Sequence, residues 1–193
     1  MKILAFAATS SSKSINRELV RYTAKQISNQ YDGTEIEILD INDFELPLFS
    51  EDREAEIGQP DLAKIFIDKI ASSDALVISF AEHNGSYTVA YKNIFDWASR
   101  VNPKVFQNKP MILLATSPGP GGASSVLASA TASAPYFDGE VKASLSIPSF
   151  YDNFDSEQGR IINSDLNEQL LAAISNLHVS NAENLQQGLQ QAG

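Results

Sequence analysis

The chain has 193 residues, 43% of them apolar and 20% charged, which is typical of one globular domain with a sizeable core. The net charge of −10 argues against a nucleic-acid or anionic-membrane partner, because both select basic surfaces. The sequence contains no cysteine, which excludes disulfides, thiolate chemistry and cysteine-bound metals and is consistent with a cytoplasmic protein.

The first 20 residues predict a strand, a short hydroxyl-rich loop and the start of a helix. Residues 3–7 are all apolar, residues 9–14 carry five hydroxyl side chains, and apolar residues recur at helical spacing from Ile15. The first N–H groups of a helix have no internal partner, so a loop of this kind favours an anion site. The alternative is an ordinary serine-capped helix that follows a strand.

The rest of the chain alternates predicted strands and helices. Residues 35–39 alternate between charged and apolar side chains and predict an edge strand, whereas the apolar runs at 75–80 and 111–115 predict buried strands. A long loop is expected at 42–60, where two prolines and a glycine occur. The remaining predicted elements are helices at 61–71, 88–97, 123–134 and 166–177 and a last strand at 141–147.

This alternation predicts an α/β fold, a flavodoxin-like, doubly wound, five-stranded parallel sheet in the order 2-1-3-4-5 with helices on both faces. One domain is expected over residues 1–178, followed by a disordered tail at 179–193 that is rich in glutamine and asparagine. No signal segment or membrane span is expected. Ligands of such sheets bind beyond the carboxyl ends of the strands, where the loops at 8–14, 81–87 and 116–122 should meet.

The composition of these loops favours a mononucleotide cofactor. The first loop lacks the G-x-G-x-x-G pattern of dinucleotide sites and the G-x-x-x-x-G-K-[ST] pattern of nucleoside triphosphatases. A single phosphate held by hydroxyl and N–H groups, with two further loops able to frame a flat ring, fits FMN on a flavodoxin-type sheet. No metal site is predicted.

Three motifs lie in the expected loops. Residues 8–16 read ATSSSKSIN, residues 81–87 read AEHNGSY and continue to KNIFDW at 92–97, and residues 117–122 read SPGPGG. Together with LPL at 46–48, they resemble the NADPH-dependent FMN reductases of flavodoxin-like fold, which include quinone, chromate and azo-dye reductases. The resemblance covers about residues 2–177, and its most specific part is the spacing between Asn84 and the 92–97 segment.

The sequence departs from the family pattern at the expected flavin site. The first family motif reads about G-S-x-R-x-x-S-x-N, and its phosphate-binding arginine aligns with Ser11, while Lys13 lies at a different offset. Ala81 replaces a proline, and His83 replaces a tyrosine. We therefore expect one charge-assisted phosphate contact to be absent and the surroundings of the flavin ring to be altered.

The resemblance implies which residues would bind FMN. Those of the first loop would hold the phosphate, those after the third strand would approach the ribityl chain and ring, and those after the fourth would border the pyrimidine end. The implied cofactor-binding residues are Thr9, Ser10, Ser11, Ser14, Ile15, Asn16, Glu82, His83, Asn84, Gly85, Ser117, Pro118 and Gly119. Each group also has a structural explanation, namely capping for the hydroxyls and a tight turn for Asn84 and Gly85.

The implied activity is hydride transfer from NADPH or NADH through FMN to a small acceptor such as a quinone, free flavin, azo dye or metal oxyanion. The cofactor supplies this chemistry, so no catalytic side chain is expected. The family is usually dimeric or tetrameric, which implies a homodimer or homotetramer involving the 42–60 loop and the Trp97 helix. A flavodoxin-type electron carrier and a flavin-binding sensor without turnover remain open alternatives.

Overall fold

The central sheet of the computed structural model, which describes residues 1–191, contains five strands. They are β1 (Lys2–Ala8), β2 (Glu35–Leu39), β3 (Ala75–Phe80), β4 (Lys109–Thr116) and β5 (Gly139–Ile147). Neighbouring strands are all parallel, and their order across the sheet is β2-β1-β3-β4-β5. The predicted doubly wound sheet and the edge position of the second strand are therefore confirmed.

Helices cover both faces of the sheet. They are α1 (Ile15–Gln30), α2 (Glu51–Ile57), α3 (Asp61–Ala71), α4 (Val89–Val101), α5 (Ser124–Ser133), α6 (Phe150–Asn153) and α7 (Ser164–Gln191), and 3-10 helices span Ile41–Phe44 and Ala134–Phe137. Helices α1 and α7 pack on one face, and α3, α4 and α5 pack on the other. The strand–helix alternation of the sequence therefore produces three layers.

The middle strands are apolar on both sides because both sides are covered. In β3, Leu76 and Ile78 pack against the α3–α4–α5 layer, whereas Ala75 and Val77 pack against the α1–α7 layer. Successive side chains of a strand point to opposite faces, so a strand buried on both faces reads as a continuous apolar run. This explains the run at residues 75–80.

The long connection after β2 is more ordered than predicted. The sequence at 42–60 predicts an irregular loop, but it contains the end of a 3-10 helix and all of α2. Ser50 caps α2, because its hydroxyl oxygen accepts a hydrogen bond from the N–H of Arg53 at 3.0 Å. The prediction was wrong because α2 buries no side chain and therefore shows no apolar stripe.

The carboxyl-terminal part of the chain also differs from the prediction. Helix α7 continues to Gln191 rather than ending at residue 177. The domain bounds of 1–178 and the disordered tail at 179–193, of which residues 192–193 lie outside the described residues, stay predictions. The Gln, Glu, Ala and Leu residues of this segment are good helix formers. A hairpin of β6 (Phe154–Asp155) and β7 (Arg160–Ile161) was not predicted, because two-residue strands have no periodicity. Within the described part of the chain, no helix combines the length and apolar character that crossing a membrane requires.

Candidate functional site at the carboxyl edge of the sheet

Three loops leave the sheet side by side. Strands β1, β3 and β4 are neighbours, with Ala8 paired to Phe80 and Phe80 paired to Ala115. Because all three strands are parallel, the loops at 9–14, 81–88 and 117–123 start from the same edge, as the sequence predicts. This edge is where a ligand of a doubly wound sheet binds.

The loop after β1 presents unpaired hydrogen-bond donors. Ser14 caps α1, and its Oγ accepts a hydrogen bond from the N–H of Asn16 at 3.2 Å. Within the described chain, the N–H groups of residues 12, 13 and 15 and the hydroxyls of residues 10–12 have no hydrogen-bond partner. These serines are exposed and precede the positive end of a helix. The loop can therefore bind an anion.

Little positive charge is available to that anion. Lys13 is exposed beside the loop, but Arg17 is engaged by Asp40, with 2.7 Å between Arg17 Nη2 and Asp40 Oδ1. Burial tends to raise the pKa of Asp40, but the hydrogen bond from the Asn42 N–H and the Arg17 guanidinium outweigh it, so this pKa lies below its usual value. Asp40 therefore stays ionised, and its negative charge offsets the positive charge of Arg17.

Asn16 connects α1 to two strands of the sheet. Its Nδ2 donates to the carbonyl of Thr116 at 3.1 Å, and its Oδ1 accepts from the Ser79 hydroxyl at 2.8 Å and from the Thr116 N–H at 3.1 Å. The residue is only 2% exposed. Both acceptor positions of the amide oxygen are thus filled inside the protein. Asn16 holds the start of α1 against the ends of β3 and β4, and its predicted contact with phosphate stays a prediction.

Thr9 stabilises the beginning of the same loop. It is buried, and its Oγ1 accepts a hydrogen bond from the N–H of Ser11 at 3.2 Å. At the neighbouring strand end, Thr88 caps α4 and donates its hydroxyl to the carbonyl of Ala8 at 2.9 Å. The beginning of the loop after β1 is therefore held in place, while the residues in its middle remain exposed.

The loop after β3 contains a tight turn. The backbones of His83 and Ser86 exchange two hydrogen bonds of 2.9 and 3.1 Å, and Asn84 and Gly85 have φ values of 53° and 77°. Positive φ at both central residues is the pattern that Asn-Gly favours, so the predicted turn is confirmed. A Cβ atom added at Gly85 would meet nothing within 4 Å, and His83 is exposed. The space around the turn is open.

Glu82 has a structural partner. Its Oε2 accepts a hydrogen bond from the N–H of Val126 at 2.9 Å, in the first turn of α5. The residue before α5, Ala123, lies in the left-handed region with φ of 59° and provides no side-chain cap. Glu82 therefore caps α5 from the neighbouring loop, which connects the second and third loops of the site.

The loop after β4 uses its own polar groups. Ser117 donates its hydroxyl to the carbonyl of Gly119 at 3.2 Å, and that carbonyl also accepts from the N–H groups of Gly122 at 3.2 Å and Ser149 at 2.9 Å. Pro118 is exposed and has no N–H to donate. This loop is therefore closed by internal contacts and by the segment after β5.

The family comparison agrees with this geometry. The family model of the NADPH-dependent FMN reductases matches residues 1–147, which is well over half of the chain. The chain belongs to the NADPH-dependent FMN reductase family. The matched region runs from the first residue to the end of β5 and includes all three strand-end loops.

Two relatives of this chain are named for different activities, one as a quinone oxidoreductase and one as an FMN reductase. It is 30% identical over 122 residues to an NADPH:quinone oxidoreductase of Arabidopsis thaliana, a match covering 63% of this chain and 61% of the plant protein. It is 38% identical over 87 residues to an NAD(P)H-dependent FMN reductase of Pseudomonas aeruginosa, covering 45% of each. The chain thus spans less than two thirds of the length of these relatives.

The fold is also found in a solved flavoenzyme. The structure resembles that of FerB, an NAD(P)H:(acceptor) oxidoreductase from Paracoccus denitrificans, with a TM-score of 0.67 and 23% sequence identity. The superposed region covers 91% of this chain and 94% of FerB. At this identity the likeness shows the fold and agrees with the flavodoxin-like sheet predicted from the sequence.

The segment at 92–97, which resembles the family most specifically, holds the loop after β2. Asn93 accepts from the N–H of Phe49 at 2.9 Å and donates to the carbonyls of Leu46 and Pro47 at 3.1 and 3.2 Å. Trp97 is fully buried and donates its Nε1 to the carbonyl of Pro47 at 2.7 Å. Sequence reasoning missed this role, although the joint presence of the 46–48 and 92–97 motifs was a signal for it.

Proposed function

We propose that this protein is an FMN-dependent NAD(P)H oxidoreductase that reduces a small acceptor such as a quinone. The observation that carries the proposal is the set of free donors after β1, which lies at the same edge as the 83–86 turn and the 117–122 loop. The family membership supports it, as do the names of the relatives, one a quinone oxidoreductase and one an FMN reductase.

The phosphate of FMN would bind at the start of α1. The free N–H groups of residues 12, 13 and 15 and the exposed hydroxyls of residues 10–12 are all donors, and residues 9–16 contain no carboxylate. This donor set fits a dianion. Because Ser11 occupies the place of the family's arginine, binding would depend on neutral hydrogen bonds of about 0.5–1.5 kcal/mol each and on Lys13.

The flavin ring would lie between the turn at 83–86 and the loop at 117–119. Backbone groups and small residues there can hold a flat ring without covering it, and the open space at Gly85 leaves room for a second flat molecule. When bound, FMN accepts a hydride from NADPH or NADH and passes electrons to the acceptor. The chain's residues would bind and orient both partners, so no side chain has to donate a proton to the ring.

A homodimer or homotetramer and a cytoplasmic location are part of this proposal. Leu48 and Val89 are each 73% exposed, and both line a groove that also contains Ser10 of the phosphate loop. Exposed apolar side chains next to a ligand site are typical of a subunit contact. Trp97 is buried, so α4 would contribute Val89 and its neighbours to this contact rather than the indole.

Stopped-flow measurements under anaerobic conditions test the reductase function. The FMN-loaded protein should lose its flavin absorbance when mixed with NADPH or NADH and should regain it when a quinone is added. Gly85→Trp should slow both half-reactions at least tenfold, because hydride transfer requires the reacting atoms to approach within about 3–3.5 Å. FMN should remain bound.

Gly33→Trp is the matched control. Gly33 has φ of 74° and, like Gly85, has nothing within 4 Å of an added Cβ, but it lies in the turn before β2, at the opposite edge of the sheet. The two variants carry similar backbone strain, so a difference between them reports the flavin site. If neither nucleotide reduces the wild-type flavin while a separate reductase does, the protein is an electron carrier and the reductase proposal fails.

A further inference from the structure

An aromatic cavity of about 230 Å³ lies between α4 and α5. It belongs to the core layer on the α3–α4–α5 face of the sheet. Its walls are mainly aromatic and aliphatic, and the larger wall side chains are Phe80, Tyr87, Tyr91, Phe95, Phe106 and Phe137. None of the residues that the sequence predicts to bind FMN lines this cavity.

Small side chains on one wall create the space. Ala130, Ser133 and Ala134 face the aromatic residues of α4, and α5 consists almost entirely of alanine, serine and threonine. Protein interiors are normally packed as densely as organic crystals, so a cavity of this size is unusual. An apolar cavity of about 150 Å³ is enough to bind benzene. The space here therefore suits a molecule of one or two aromatic rings.

One hydroxyl of the wall has no protein partner. Tyr91 is only 4% exposed, and no hydrogen bond of its hydroxyl is found among residues 1–177, whose side chains are described. Every fully enclosed polar side-chain atom in that part of the chain is paired, so the Tyr91 oxygen lies open to the cavity. Burial and the neighbouring Tyr87 raise the pKa of Tyr91 well above its usual value, so this hydroxyl stays protonated and can donate to a ligand.

Further polar groups lie on the same wall and at the outer end of the cavity. The hydroxyls of Tyr87 and Ser133 are 3.2 Å apart, and Ser133 also donates to the carbonyl of Ala130 at 3.3 Å, so both oxygens can still accept a hydrogen bond. Lys92 is exposed and forms an ion pair with Asp96 at 2.6 Å, and both line the cavity. The cavity thus combines apolar faces for a ring with a few polar groups for its substituents, which is typical of a small-molecule site.

We propose that this cavity binds a flat one- or two-ring molecule that carries a carbonyl or hydroxyl oxygen, a ligand of the quinone or phenol class. The ring would pack among the phenylalanine and tyrosine side chains, and its oxygen would accept a hydrogen bond from Tyr91. No step of the reductase reaction takes place in the cavity. The inference does not depend on the proposed function, because binding can be measured without NAD(P)H.

Titration with two probes that cannot be reduced, 2-naphthol and naphthalene, tests the site by calorimetry or fluorescence. Wild-type protein should bind one 2-naphthol per chain. Tyr91→Phe should weaken 2-naphthol binding about three- to tenfold, as expected for one neutral hydrogen bond, and should leave naphthalene binding unchanged. Ala130→Leu should weaken binding of both probes at least tenfold, because the larger side chain occupies part of the space that a two-ring molecule needs.

Ala128→Leu is the matched control, since Ala128 lies on the same helix and is exposed. This variant should bind both probes like wild type, and FMN affinity should be unchanged in every variant. The proposal fails if folded wild-type protein shows no saturable binding, or if Ala130→Leu binds 2-naphthol as well as Ala128→Leu does. It also fails if binding appears only when an oligomer dissociates on dilution, because a second copy of the chain would then occupy the cavity.

Discussion

The loops after β1 and β4 have similar compositions but differ in how many of their polar groups are hydrogen-bonded within the protein. Both are rich in small residues and contain no acidic side chain. The loop after β1 leaves donors of residues 10–15 unpaired, whereas the loop after β4 forms hydrogen bonds within itself and with Ser149. The comparison shows that a loop rich in serine and glycine can be a binding surface or a scaffold, and composition alone does not distinguish them.

The difference between the two loops comes from the structure that surrounds each of them. After β1 the chain enters α1 directly, so the first N–H groups of a long helix point away from the protein. After β4 the chain passes close to the end of β5, where Ser146 donates its hydroxyl to the carbonyl of Gly122 at 2.7 Å. The polar groups of this loop are therefore paired inside the protein, so the loop can border a ligand but offers it few free donors.

The largest expected effect is on the loop after β4. A Cβ atom at Gly122 would lie 2.1 Å from Ser146 Oγ and 3.1 Å from Pro148 Cα, and φ of 58° is unfavourable for other residues. Gly122→Ala should therefore lower the free energy of unfolding by about 3 kcal/mol in urea denaturation, from the sum of backbone strain and overpacking. Gly121→Ala is the control, because an added Cβ there meets nothing within 4 Å. If the two variants are equally stable, the loop after β4 is not closely packed at Gly122 and the contrast with the loop after β1 fails.

An intermediate effect is expected at Asn16, which connects the start of α1 to the ends of β3 and β4. Asn16→Ala removes the partner of the Ser79 hydroxyl and of the Thr116 N–H, both of which are buried. Leaving such groups unpaired should lower the free energy of unfolding by about 2 kcal/mol in urea denaturation. Asn29→Ala, at an exposed position of the same helix, should change it little. If Asn16→Ala is as stable as wild type and only FMN affinity falls, Asn16 is a phosphate ligand rather than a structural residue.

The smallest expected effect is on the loop after β1. Ser12→Ala should weaken FMN binding tenfold or less in calorimetry, since one neutral hydrogen bond contributes about 0.5–1.5 kcal/mol. Riboflavin affinity and the free energy of unfolding should not change, because the hydroxyl of Ser12 has no partner in the described protein. Ser28→Ala, at an exposed position in α1, is the control. Equal weakening of riboflavin and FMN would show that the loop does not bind phosphate.

Most of the sheet was predictable from the sequence because its elements have strong periodic signals. The strand at 35–39 and the helix at 61–71 have the bounds that the pattern predicts, since alternation and helical spacing report the buried face directly. Helix α2 was missed because it buries no side chain, and the hairpin of β6 and β7 because it is too short to show a period.

The candidate site was predictable as a set of loops but not as a set of contacts. The rule that parallel strands place their ligand at the carboxyl edge predicts where residues 9–14, 81–88 and 117–123 lie, and Asn84-Gly85 predicts the turn. The contact of Glu82 with α5 could not be predicted. It joins residues 44 positions apart, and no local pattern records such a distance.

Periodicity and local motifs are properties of short segments, so they were enough to predict the α/β class, the strand order, the position of the candidate site and the resemblance to a flavin reductase family. Which polar residues remain free depends on contacts between distant elements, and these contacts are visible only in the fold. Asn16 and Glu82 read as ligand-binding residues, yet their side chains contact other strands and helices. The cavity at Tyr91 was likewise invisible in the sequence, because empty space depends on how separate elements pack together.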